Sequence, residues 1–190
     1  MSEIQDSVVT LALFKYETLL KKNIDIDTRT ITVCGIINDK MFMNIDSAFS
    51  LLEQQGSDPI TVRIISAGGY TYEALGIIGR FNRSKCAIHT EGYGHIQSAA
   101  TLLLAAGKKR SISAECTVMT HQASYAVEGK HRDIVNYVAQ ASREEMAWAE
   151  NMAKRTKQDV TYWIKLHRKG LDKYLTSTEA VQLGIADEVF

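Results

Sequence analysis

The sequence predicts an α/β protein of stacked β-α-β units with one long projecting helix. Three observations predict it. Strand-like and helix-like segments alternate along most of the chain. Glycines sit where apolar strands end. An uninterrupted helical pattern runs from His131 to Arg155.

The first helical pattern covers Val8 to Lys22, with Val9, Leu13, Tyr16 and Leu20 at helical intervals; residues 1–29 read as an N-terminal arm. Thr30 to Ile37 is β-branched and ends at Asn38-Asp39, a turn signal, so it reads as the first core strand. From Met41 to Gln55 apolar residues recur at Ile45, Ala48, Phe49 and Leu52, which predicts a helix stopped by the segment Gly56 to Pro59. Ile60 to Ile65 is a second strand. After it Ser66-Ala67-Gly68-Gly69 forms a turn into a helix marked by Ala74, Ile77, Ile78 and Phe81. Cys86 to Thr90 predicts a third strand, with Gly92 and Gly94 preceding a helix from Gln97 to Ala106 that Gly107 closes. Ser111 to Ser113 and Thr117 to His121 read as short strands. The long helix follows, seamed by Ile134, Val138, Ala141, Trp148 and Met152, and then a helix from Gln158 to His167. Gly170 breaks the chain before Asp172. Thr176 with Glu179 reads as a capping box for a last short helix ending at Gly184.

Bulk properties narrow the function. With 190 residues, 45% of them hydrophobic, the chain is expected to form one domain, residues 1–190, around one core. Lys plus Arg (22) balance Asp plus Glu (22), so no net field draws the protein to nucleic acid or to an anionic membrane, and neither is expected as a partner. Met1 to Asp6 is polar and acidic with no long apolar run after it, so neither a secretory leader nor a spanning helix is expected, and the chain reads as cytoplasmic. Cys34, Cys86 and Cys116 lie far apart in apolar segments, which predicts buried free thiols and no metal site. A single proline, Pro59, and the lack of Gly/Ser-rich tracts leave no linker or repeat.

Four local patterns carry candidate chemistry. Ser98 lies at the start of a predicted helix after a glycine-bearing strand exit, where a hydroxyl is accessible and free N–H groups face a developing oxyanion; taken alone, it reads first as a helix N-cap. Gly68-Gly69 lets backbone approach a ligand, or simply turns the chain. His121 ends a short apolar strand, where an imidazole could accept a proton near neutral pH or be a satisfied structural group. Asp172 sits at a segment boundary, a place that solvated loop aspartates share.

In order and context these four patterns resemble the ClpP family of proteolytic subunits, over most of the chain. Where that family has Asn-Ser-Pro-Gly-Gly, this chain has Ile65-Ser66-Ala67-Gly68-Gly69. The nucleophile motif Gly-x-Ala-Ala-Ser-Met-Gly-Ala, followed by Leu-Leu-Ala-Ala-Gly, is resembled by Gly94 to Gly107, which aligns with it without a gap through Ser98 and Leu103-Leu104-Ala105-Ala106-Gly107. Val118-Met119-Thr120-His121-Gln122 is similar to Val-Met-Ile-His-Gln, and Gly129 to Ile134 resembles the family's opening of the long helix. Asp172 to Thr176, then Glu179-Ala180-Val181 and Gly184 to Asp187, resemble the C-terminal motifs. The resemblance implies a ClpP/crotonase-like fold and an ATP-dependent Clp-type serine endopeptidase. Ser98 would be its nucleophile, His121 its general base and Asp172 the group that orients the histidine. It further implies an oxyanion hole from the N–H groups of Gly69 and Ala99, substrate-binding backbone at Gly68 and Tyr70, and no cofactor. Its substrate would be a peptide or unfolded protein. The subunits would assemble as heptameric rings stacked in pairs through the helix 131–155, a tetradecamer, with an ATP-driven unfoldase as partner.

The chain departs from the family at Ala67 and Ile65 beside the glycines, and at Lys173, where the family commonly has an arginine used in ring pairing. It also carries Thr61 and Arg63 where the family often has tyrosines that receive the unfoldase. Two other readings remain open from sequence: a catalytically silent ring subunit, and a crotonase-like acyl-CoA enzyme of the same fold.

Overall fold

Burial of alternate strand residues and of one helix face each builds the core. In the computed structural model, which describes residues 2–190 with side chains from Val8 onward, strand β2 (Thr30–Cys34) leads through helix α2 (Asp39–Gln55) to strand β3 (Ile60–Ser66). Strand β3 leads through α3 (Thr71–Arg83) to β4 (Ile88–Gln97). β2, β3 and β4 are parallel neighbours, so each helix must cross a sheet face to return the chain. The residues that α2 buries are Ile45, Ala48, Phe49 and Leu52, and α3 buries Ala74, Ile77, Ile78 and Phe81; both sets are the predicted seams. Asn38, read as part of a turn signal, is the N-cap of α2, its side chain accepting from Met41 N.

The sheet continues through β5 (Lys109–Ile112) and β8 (Glu188–Val189), both parallel additions, while a short β1 (Ile24–Asp25) runs antiparallel to β2. Strand β4 is twice the predicted length. Its first half pairs with β5 and its second half, His95 to Gln97, pairs with β6 (Thr117–Thr120). The switch occurs at Gly94, where φ is +57, a backbone conformation that costs glycine little. Gly92 and Gly94 therefore bend a strand instead of ending it, and the predicted helix from Gln97 shrinks to α4 (Ala100–Ala105). Strand β6 pairs on its other side, antiparallel, with β7 (Lys173–Thr176), a strand the sequence reading did not place.

The long helix α5 (His131–Arg155) has the predicted bounds. Only its C-terminal half is anchored: Trp148, Ala149 and Met152 are buried, whereas Val135 and Val138 are exposed, so the predicted seam is covered along half its length. Helix α6 (Val160–Arg168) packs beside it, capped by Asp159, and buries Trp163 and His167. The capping box at Thr176 and Glu179 forms as predicted and starts α7 (Ser177–Leu183), which ends on Gly184 in the left-handed region. Helix α1 (Ser2–Lys22) exposes its predicted seam, Val9, Leu13, Tyr16 and Leu20 included, and among its described side chains the buried one is Thr18. Cys86 and Cys116 are buried free thiols, but Cys34, at the end of β2, is exposed, contrary to expectation. Among the described residues, no helix is long and apolar enough to cross a membrane.

Trp163 is fully buried, meets the rings of Trp148 and Tyr162 edge-on, and donates its indole N–H to Thr156 Oγ1 at 3.2 Å. Trp163→Ala is expected to lower unfolding stability by roughly 3–5 kcal/mol through the cavity it leaves. Trp163→Phe, which loses the hydrogen bond and part of the ring's volume, is expected to cost less, roughly 1–3 kcal/mol. Urea denaturation of the two variants checks the order.

Candidate active site

The site is assembled by one short strand. The register Gln97↔Met119 aligns the end of β4 with β6, and Ser98 N donates to Met119 O at 2.8 Å. The register Thr120↔Lys173 aligns β6 with β7 on the opposite edge. One residue beyond each ladder, Ser98, His121 and Asp172 fall in a row across three neighbouring strands. Ser98 Oγ lies 2.8 Å from His121 Nε2, a good hydrogen bond. His121 Nδ1 lies 3.8 Å from Asp172 Oδ1, within ion-pair reach but too long for a hydrogen bond. The Asp172 side chain is 53% exposed and the His121 side chain 25%.

Ser98 does not cap the helix. The N-cap position of α4 is Ala99, so the hydroxyl is left to the imidazole. Ser98 also holds φ at +53, an unfavourable region for a side-chain-bearing residue. The conformation is fixed from both directions, because Thr101 donates to Ser98 O through its N–H (3.0 Å) and its buried hydroxyl (2.7 Å) while Met119 holds the Ser98 amide.

The glycine turn lies against this serine. Ser66 Oγ, fully buried, donates to Gly35 O at 2.6 Å and accepts from Gly68 N at 3.0 Å, which sets the turn. Ile37, missed as a participant by the sequence reading, then runs alongside: its N–H donates to Gly68 O and its carbonyl accepts from Tyr70 N, both at 2.9 Å. Bonds to one neighbour that alternate in this way turn the Gly69 N–H to the other side, the side of Ser98. Among the described residues the N–H groups of Gly69 and Ala99 have no acceptor. A Cβ on Gly68 would lie 2.6 Å from Gln97 O and 2.7 Å from Ser98 Cβ; one on Gly69 would lie 2.2 Å from Ile37 O. The site tolerates no side chain at either position. Tyr70 contributes its backbone here, and its side chain is 65% exposed.

Beside the Ser98–His121 pair a cavity of about 20 Å³ is lined by Ala99, Tyr125, Trp148 and His167, with Glu144 and Glu145 of α5 also on its wall. None of these except Ala99 was singled out from sequence as a site residue. The signal available was His167 four residues after Trp163, an imidazole on the apolar face of α6. His167 is buried, its ring centroid 4.2 Å from that of Trp148, and its Nε2 has no hydrogen-bond partner among the described residues. Burial, with the nearby His121 adding to it, pushes its pKa down to about 4. Burial likewise raises the Cys116 thiol to about 11, which leaves it protonated and unreactive at neutral pH. Among the described residues no cluster of His, Cys, Asp or Glu could hold a metal ion.

The family model described as Clp protease matches residues 17–190. Among solved structures, a point mutant of ClpP1 from Listeria monocytogenes superposes with a TM-score of 0.79 at 26% identity, covering 87% of this chain and 92% of that one.

Two measurements check the site's construction. Gly68→Ala is expected to slow phosphonylation of Ser98 by a fluorophosphonate by more than tenfold, because the added methyl displaces the serine turn. His167 supplies a pH dependence. Its folded pKa lies below the unfolded value of about 6.5, so its contribution to stability is complete above that value and is lost as pH falls toward 4. Between pH 7 and pH 5 the loss is on the order of 2 kcal/mol. Urea titrations at both pH values should show a larger drop for the wild type than for His167→Leu; equal drops would contradict this reading.

Proposed function

The chain belongs to the Clp protease family, and we propose that within it the protein is a serine endopeptidase acting through Ser98, His121 and Asp172. The observation that carries the reading is the 2.8 Å contact of the Ser98 hydroxyl with His121 Nε2 at a strained strand-to-helix turn. In the proposed reaction Ser98 Oγ attacks the scissile carbonyl and its proton passes to His121 Nε2. The tetrahedral oxyanion is received by the free N–H groups of Gly69 and Ala99, and His121 returns the proton to the leaving amine. Water then releases the acyl group by the same steps, with His121 as base. Asp172 fixes the imidazole tautomer and faces the imidazolium. Its 3.8 Å separation is of the kind that closes when substrate orders a site. Because α4 has only six residues, the oxyanion argument rests on these two N–H groups rather than on a helix dipole.

Assembly into stacked rings belongs to the same proposal. It is supported by apolar residues that the single chain leaves exposed: Leu11, Phe14 and Leu19 on α1, and Val135 and Val138 on α5. Any ATP dependence would come from a separate unfoldase. At the position where the family often offers tyrosines, Arg63 donates to Glu91 Oε2 at 3.1 Å and Tyr93 OH donates to the same oxygen at 3.0 Å. A partner docking there would meet a charged cluster, not an apolar socket.

A fluorophosphonate should label Ser98 in the wild type and label neither Ser98→Ala nor His121→Ala at a comparable rate. Asp172→Asn is expected to lower kcat for a peptide by up to about 10,000-fold. An unlabelled wild type that sediments as assembled rings would overturn the peptidase reading.

A further inference from the structure

The cavity beside Ser98 is lined by the proposed nucleophile, the proposed base and Ala99, which carries one proposed oxyanion donor. The residue on the acyl side of the scissile bond, P1, carries the carbonyl that Ser98 Oγ attacks, so its side chain is the one assigned to this cavity. Building on the peptidase reading, the wall of this cavity then decides which P1 side chain is accepted.

Size acts first. About 20 Å³ is little more than a water molecule needs. The wall is not easily moved, because Trp148 is buried edge-on against Trp163 and lies over the His167 ring. A methyl or hydroxymethyl group fits, whereas a leucine or phenylalanine side chain requires the tryptophan pair to repack. Polarity acts second. His167 is 3% exposed and leaves Nε2 unpaired, an arrangement that favours a ligand able to complete it. Burial keeps the ring neutral at pH 7, with one N–H and one acceptor nitrogen. A hydroxyl carries both complementary functions. Charge acts third: Glu144 accepts from Tyr125 OH and Glu145 from Gln122 Nε2, each at 3.5 Å, so carboxylate oxygens line the same wall and oppose an acidic side chain.

We propose that His167 is a specificity-determining residue and that the site takes a small hydroxyl-bearing P1 residue, serine above all. The preference comes from this chain's own Trp148, His167, Glu144 and Glu145.

The test is a set of internally quenched peptides identical except at P1, with Ser, Ala, Asp or Leu there, cleaved by the assembled wild type and by His167→Leu and His167→Gln. The wild type should show kcat/KM about tenfold higher for Ser than for Ala, the worth of one neutral hydrogen bond, and at least tenfold higher for Ala than for Asp or Leu. In His167→Leu the Ser-to-Ala ratio should fall toward one, and His167→Gln, which keeps a donor and an acceptor, should restore part of it. Each ratio is taken within one protein, so a general loss of stability cancels. A wild type that prefers Leu, or a Ser-to-Ala ratio unchanged by His167→Leu, overturns the inference while leaving the peptidase reading in place. No cleavage of any peptide together with no phosphonate labelling of Ser98 overturns both.

Discussion

The site depends on the two-sided pairing of a four-residue strand. Strand β6 is parallel to the end of β4 on one edge and antiparallel to β7 on the other, and these two registers carry Ser98 and Asp172 to either side of His121. A slip of one residue in either ladder would turn every side chain of the slipped strand to the opposite face. Register is secured by burial: Val118 and Leu175, partners across β6 and β7, are both in the core, and so is Ile96, the partner of Val118 across β4. The three side chains are thus placed by backbone pairing that hydrophobic burial enforces.

The same arrangement explains why the three groups are not held equally well. The Ser98 turn is pinned by the Met119 carbonyl and by both donors of Thr101, and the glycine turn presses against it from β3. Strain at φ +53 is sustained because so many partners fix the turn. Asp172 stands at the open end of the β6–β7 ladder, preceded by the Gly170 turn, with half its side chain in solvent. Its approach to His121 is accordingly the loosest link.

The helices α2 and α3 were legible because each buries one face against a sheet, so their buried residues repeat at helical spacing and appear as Ile45, Ala48, Phe49, Leu52 and Ala74, Ile77, Ile78, Phe81. The capping box was legible because two side chains at fixed spacing carry it. Strand β7 was not, since Lys173, Tyr174 and Thr176 are exposed and only Leu175 is buried, which leaves no alternation long enough to read. The second half of β4 was hidden by Gly92 and Gly94: glycine signals a break, and only the paired strands β5 and β6 make it a bend. Ser98 itself was ambiguous locally, as cap or nucleophile; its order relative to His121 and Asp172 favoured the second reading, and the structure puts the N-cap position of α4 at Ala99 instead. His167 escaped notice because an apolar helix face normally hides a structural histidine, and nothing in its own neighbourhood of sequence reveals that the face borders Ser98.

The proximity of two histidines carries a final electrostatic consequence. In the proposed reaction His121 becomes an imidazolium when it takes the Ser98 proton, and a second positive charge beside it would oppose that transfer. Burial against Trp148 removes this conflict by keeping His167 uncharged. A lysine or arginine at position 167 would bring a like charge to the cavity, whereas neutral histidine offers hydrogen-bonding capacity without one. The burial that makes His167 costly to protonate is therefore what allows a polar group to share a wall with the proposed base.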